Sequence, residues 1–519
     1  MYHQLNFAPI DGSGEGSGIA WFNRPGRLLG PHHLIALGYI ILALVLRAAT
    51  FGNPVVHTDE QLYLLFADRM LQGDLPYIDI WDRKPVGLFL LYAAIQAAFG
   101  PGPMGYQLIA CLFAAGSAFL IQRLAQRIAS RRASILAGAS YLGLLGIFDL
   151  ASGQTPVFYN LAMLVAAWLL VRQIETRDPA RLALRGAAAM LLIGLAIQIK
   201  YTAGFEGFAF GLILIAVARQ QGARPLTIAA LAGLWSLCAA LPTLLALGYY
   251  VWLGHAAAFI DANFFSIFQR SAFASSTYPE LFKNLIVLIS FWLAAGISAL
   301  RVRDAGGGFG TISPRSFPYL WLGAAVLAFL GFGTWYNHYL GPVLVPLAIA
   351  IAPALDAAGH QGKVWFGLLV AMPLLASPVV TATNIAIRGN AAEATHVAAI
   401  IQAERGNGCI YVHDGDTALY RLTQSCLPTR YAFPPHLATL EEASAIAGGQ
   451  DHEIAAILAR QPTVIAMVAR PLGDNPNLPG RALVEREIAR SYELYARPML
   501  GKRTYLLYRL RPGPRPPGA

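Results

Sequence analysis

A backbone that crosses hydrocarbon must satisfy all its N–H and C=O groups internally, because the bilayer core holds no water to do so. That condition governs this chain, in which long apolar runs follow one another from Leu34 to Val380, separated by short basic turns. Runs of this length read as helices, since membrane strands are short and alternate apolar with polar residues. Composition agrees: of 519 residues only 13% are charged and 56% are hydrophobic, against about 25% charged in soluble domains. The net charge of +10 belongs in such a chain to loops facing anionic lipid. No basic stripe with interleaved aromatics points to a nucleic-acid partner.

The positions of the arginines orient the spans. The first, about Leu34 to Thr50, is preceded by Arg24, Arg27 and two histidines and so starts in the cytoplasm. The loop after it, 52–103, then lies outside. Within it Leu62, Leu65, Phe66 and Met70 recur at helical spacing over Asp59–Leu71, a helix on the membrane surface that Gly73 stops. Pro85 to Phe99 is apolar but too short to cross and reads as a second interfacial helix. Met104 to Ile121 comes inward to Arg123, Arg127, Arg131 and Arg132. Later turns with Arg172, Arg177, Arg181 and Arg185, with Arg219 and Arg224, with Arg301, Arg303 and Arg315, and with His360 and Lys363 fall on the same inner side. The tally is about 11 spans.

After about Ile385 the composition changes. Glu393–Arg405 and Asp451–Arg460 have helical patterns, while Cys409–His413, Thr463–Val468 and Thr504–Leu510 read as strands. The expected fold is an all-α polytopic membrane protein with a small C-terminal extracytoplasmic α/β domain. Its expected parts are a flexible cytoplasmic lead-in (1–30), a transmembrane domain (31–384), the soluble domain (385–511) and a disordered end (512–519). Cys111 and Cys238 lie in apolar spans. Cys409 and Cys426 share the outer compartment, which permits a bridge, and the pairing stays open.

Charge is scarce here, and His57 to Pro85 is the densest carboxylate stretch, with Asp59, Glu60, Asp68, Asp74, Asp79 and Asp82 beside Arg69, Arg83 and Lys84. Ionisable groups in membrane proteins are costly and mark function. In the derived topology Asp59, Glu60, Asp82, Lys84, Lys200, His338 and Tyr339 all reach the outer side. Cations there can hold a lipid phosphate as a leaving group, and a carboxylate can take a proton from an attacking hydroxyl. No HExxH, paired Cys/His or Asp-x-Asp pattern supports a metal, and Gly306–Gly308 is a loop and not a nucleotide cradle. Arg270 and Glu206 are polar residues with no evident role.

An outer Asp59-Glu60 after the first span, Asp82-x-Lys84-Pro85 before an apolar helix, Gly194-Leu195-Ala196 with Lys200, and an outer His338-Tyr339 together resemble the C-type glycosyltransferases. Within them the likeness is to bacterial relatives of protein O-mannosyltransferases and to lipid A aminoarabinose transferase, over roughly residues 30–350. The resemblance implies sugar transfer from a polyprenyl-phosphate carrier to an envelope acceptor outside the membrane. The expected step is a direct displacement with inversion on the periplasmic side of the inner membrane, with no cofactor required because cations hold the monophosphate leaving group. It implies Asp59 as general base with Glu60 as its acidic neighbour. Lys84, Lys200, His338 and Tyr339 would meet the donor phosphate, and Asp82 and Arg83 would contact acceptor or brace the loop. This chain departs by Val86 after Pro85, where many relatives have a second proline, and by Thr155-Pro156, where many have an acidic residue. The alternative is a transporter or flippase of lipid-linked sugars, which would show mid-bilayer charges and duplicated halves. An assembly protein would leave the acidic loop unexplained.

Overall fold

The computed structural model describes residues 31–269, 274–304, 312–331 and 333–512. The expected lead-in 1–30, Arg270, the Gly306–Gly308 loop and the end after Pro512 lie outside the described residues. Nine helices build the first half: α1 (Pro31–Arg47), α2 (Thr58–Leu71), α3 (Val86–Phe99), α4 (Pro103–Ala125), α5 (Arg131–Ile147), α6 (Thr155–Thr176), α7 (Pro179–Ile197), α8 (Ala203–Gln220) and α9 (Pro225–Trp252). Their starts follow the local sequence. Proline stands in the first turn of α4, α6, α7 and α9, where its missing N–H costs nothing. Ser130 and Asp178 cap α5 and α7 by accepting from Ala133 and Ala180 N–H.

Among the described residues eight helices are long and apolar enough to cross a membrane, or nine if Tyr278–Val287 and Ile289–Arg301, bent by 61°, form one span. Helices α2 and α3 are shorter and pair with each other. Phe66 stacks on Phe89 at 3.7 Å and Tyr63 meets Tyr92 edge-on at 5.3 Å. Arg47, at the end of α1, is only 3% exposed. It donates to the carbonyls of Leu150 at 2.9 Å and Ser152 at 3.3 Å, so its charge is met by the loop after α5.

The chain leaves the membrane region through Met372–Arg388, turns at Gly389 (φ 107°) and continues as Ala391–Arg405, opened by an Asn390/Glu393 capping box. Beyond it five strands form one sheet: β1 (Ile410–Asp414), β2 (Val464–Val468), β3 (Tyr492–Ala496), β4 (Met499–Leu500) and β5 (Arg503–Leu510). The order is β1-β2-β5-β3, with β4 on β5, and only β1 and β2 run parallel. The expected strands at the β1, β2 and β5 positions are present. Strand β3 and the helix before it, Leu478–Ser491, carry mixed polar sequence without a clear period and escaped the sequence reading. Cys409 and Cys426 are joined by a disulfide.

Helix α2 differs from the expected surface helix with one greasy face: Glu60 through Ala67 are all buried. The α/β domain covers the side that would otherwise meet water. Gln61 donates to Asp416 at 3.0 Å and accepts from Ala418 N–H at 3.0 Å, and Asp68 pairs with Arg421. Trp81 N–H reaches Arg430 carbonyl at 2.9 Å. Replacing Arg421 by alanine leaves the half-buried Asp68 without its ion pair. We expect a loss of about 1–3 kcal/mol, read as a lower melting temperature in detergent and faster proteolysis of residues beyond 390. Unchanged melting and cleavage would contradict this docking.

Candidate active site

The loop between α2 and α3 is built by its own side chains. Arg69 holds Asp74 at 2.6 Å, and Asp79 accepts from Leu75 N–H at 2.8 Å. Asp82 accepts from Lys84 N–H at 2.9 Å, a local turn that Asp forms readily. Tyr77, in the left-handed region at φ 71°, donates through its hydroxyl to the Lys84 carbonyl at 2.8 Å. Pro85 then starts α3. The result is that Lys84 is presented with its ammonium 3.4 Å from Asp82 and 5.2 Å above the Tyr63 ring.

This ammonium faces a cavity of about 660 Å³ between the helices and the α/β domain. Asp59, Asp82, Arg83, Lys84, Lys200, His338 and Tyr339 all line it, so seven of the eight residues singled out in the sequence meet in one space. Asp59 lies in the first turn of α2, where its Oδ2 accepts from Tyr63 hydroxyl and Gln154 amide, each at 3.3 Å. Burial pushes its pKa up, but Lys84 and then His338 outweigh burial and hold it below the usual carboxylate range. Asp82 is treated alike: against burial, Lys84 and His436, whose Nε2 is 3.3 Å away, hold its carboxyl well below the ordinary value. For Lys84 burial lowers the pKa, and Asp82 and Asp59 more than reverse it. Lys200, following α7, lies 4.1 Å over the Tyr339 ring, which in turn meets His338 edge-on at 4.6 Å.

Glu60 is the residue that does not join them. It is 1% exposed, outside the cavity lining, with Oε2 accepting from Tyr106 hydroxyl at 3.2 Å. Helical geometry turns adjacent residues about 100° apart, so Asp59 and Glu60 cannot face the same space. Burial pushes the Glu60 pKa up to about 8, which leaves it mostly protonated at neutral pH. Arg83 pairs with Glu442 of the α/β domain.

The sequence reading missed the contribution of that domain to the cavity. Phe433, His436, Asp414 and Asp416 line it from the far side. Asp416 is held by Tyr505 hydroxyl at 2.6 Å and Arg503 at 2.9 Å. Hydropathy carries no signal for such long-range approach. Among the described residues no group of three or more His, Cys, Asp or Glu is placed to hold a metal ion.

Residues 83–245 match a family model described as dolichyl-phosphate-mannose-protein mannosyltransferase. No curated protein matches the chain in sequence. The fold is similar to the crystal structure of ArnT from Cupriavidus metallidurans bound to undecaprenyl phosphate, at 13% identity and a TM-score of 0.61, covering 92% of this chain and 98% of that one. The same protein in its apo state is similar at 14% identity, a TM-score of 0.59 and the same coverage. The family match over part of the chain and the shared fold support the class of membrane glycosyltransferases. Within it, the resemblance to the C-type superfamily, of the protein mannosyltransferase and ArnT kind, is borne out.

Replacing Lys84 by methionine leaves the buried Asp82, 3% exposed at its side chain, and Asp59 without their main cation. We expect about 3 kcal/mol of destabilisation at pH 7, measured by thermal unfolding in detergent. Both carboxyls have depressed pKa values in the native chain, so their stabilisation is present above the unfolded value and fades as pH falls through the folded one. In the variant they protonate sooner, and the gap to the parent narrows toward about pH 4. A gap independent of pH would contradict the ion-pair account.

Proposed function

We propose that the chain transfers a sugar from a polyprenyl-phosphate-linked donor to an envelope acceptor, either glycolipid, polysaccharide or protein. The reading rests on one observation: a carboxylate held ionised and three nitrogen-bearing side chains, Lys84, Lys200 and His338, line the same cavity. ArnT, whose fold this chain shares, has been crystallised with undecaprenyl phosphate. In the proposed step an acceptor hydroxyl attacks the anomeric carbon while its proton passes to Asp59. The bond from that carbon to the phosphate oxygen breaks on the opposite face, with inversion, and its electron pair leaves with the polyprenyl phosphate. Lys84 and Lys200 neutralise the charge that builds on that oxygen.

A carboxylate with a lowered pKa is a weak base, but it is fully ionised at neutral pH, and its charge also favours the oxocarbenium character of the reacting sugar. The leaving group is a monophosphate met by lysines, so no metal is needed to neutralise it. Asp59 and its partners belong on the periplasmic side of a bacterial inner membrane, because the arginine-rich turns, beginning with Arg123 and Arg127, mark the cytoplasmic one.

The Asp59→Asn variant is expected to lower transfer by about 10²–10⁴-fold while still binding undecaprenyl phosphate. Transfer at the parent rate would remove Asp59 from the chemistry. Lys200→Met is expected to weaken undecaprenyl phosphate about tenfold, the effect of one charge-assisted contact, and undiminished affinity would place the phosphate elsewhere. Transfer measured in detergent separates an enzyme from a transporter, since transport has no meaning without a sealed compartment.

A further inference from the structure

The loop 149–154, between α5 and α6, is clamped from several directions. Asp149 sits in the left-handed region at φ 56° and is held by Asn384 at 2.9 Å and Arg388 at 3.4 Å. Arg47 takes the carbonyls of residues 150 and 152. Tyr92 donates to the Gly153 carbonyl at 2.7 Å, and a side chain at 153 would collide with the Tyr92 and Tyr106 rings, about 2.5 Å from the position its Cβ would take. Side chains from four helices converge on six residues of loop.

What the clamped loop delivers is Gln154. Its side chain is buried, at 4% exposure, and divided between two duties. The carbonyl Oε1 accepts from Thr155 N–H at 3.3 Å and caps α6, while the amide Nε2 donates to Asp59 Oδ2 at 3.3 Å. Tyr63 donates to the same oxygen. Both donors therefore engage one oxygen, Oδ2, of a carboxylate that lines the cavity.

Resting on the reading of Asp59 as the base, we propose that Gln154 is a positioning residue that fixes the Asp59 carboxylate, so that Oδ1 alone takes the acceptor proton. It does not touch the reacting atoms. It holds the plane of the carboxylate by one oxygen and favours its charged form, because an N–H donor bonds the anion better than the acid. The other charged or titratable groups whose fields reach Asp59 are Lys84 and Asp82 from the α2–α3 loop, His338 from the 337–340 turn, His57, Glu60 and Tyr63 from around α2, and Tyr92 from α3.

The discriminating substitution is Gln154→Glu. Glutamate keeps an acceptor for Thr155 N–H, so α6 stays capped, but it removes the donor and sets a second carboxylate against Asp59. With full-length protein in detergent, the lipid-linked sugar fraction of cells carrying the gene as donor and whole envelope of cells lacking it as acceptor, kcat should fall about tenfold. The acid limb of the kcat/KM profile should move up by about one pH unit or more. Undecaprenyl phosphate affinity should stay at the parent value. Gln154→Met, which lacks both duties, should show the same kinetic change together with a lower melting temperature. A parent-like pH profile and kcat in Gln154→Glu overturn the inference even if Asp59→Asn is inactive. An active Asp59→Asn would instead remove the reading beneath it.

Discussion

A lysine ammonium taken out of water needs compensating negative charge, and Lys84 finds it on two sides, in Asp82 at 3.4 Å and in the field of Asp59. Each member of this trio makes the others tolerable: the lysine holds both carboxyls ionised despite burial, and they hold the lysine charged. Removing the lysine would leave two buried carboxylates without their main cation. The arrangement also sets base and phosphate-binding cation in one cavity without letting them quench each other, because Asp82 takes the close contact and Asp59 stays farther off. Much of the surrounding structure exists to hold that spacing.

Two layers do the holding. The membrane side supplies α2 and α3, locked by Phe66 on Phe89, and the short turn in which Tyr77 and Asp82 pin Lys84. The α/β domain supplies His436 against Asp82, Glu442 against Arg83 and Asp416 against Gln61. Because the domain grips the α2–α3 region through polar contacts at named points, its docking and the geometry of the cavity are coupled. A change on the sheet side can reach the reacting groups through one residue.

The helices were legible because hydrocarbon enforces a simple rule: α4 and α8 begin within a residue of where their apolar runs do. The convergence of Asp59, Lys84, Lys200 and His338 was legible too, since alternating arginine-rich turns place span ends on one side or the other. Glu60 was not. Its carboxyl follows Asp59 in sequence, yet the helical turn sends it inward to Tyr106. Gln154, Arg47 and His436 act across 95 residues or more, and neither period nor charge count carries such pairings. The mixed sequence of β3 gave no alternation to read, because at the sheet edge only its Tyr492 is buried.

The account stands on where the donor phosphate sits. A cryo-electron microscopy structure of this chain with undecaprenyl phosphate should show the phosphate within hydrogen-bonding reach of the Lys84 and Lys200 ammonium groups, with Asp59 Oδ1 open across the cavity. A phosphate seated away from both lysines, or one lying directly against Asp59, would contradict it.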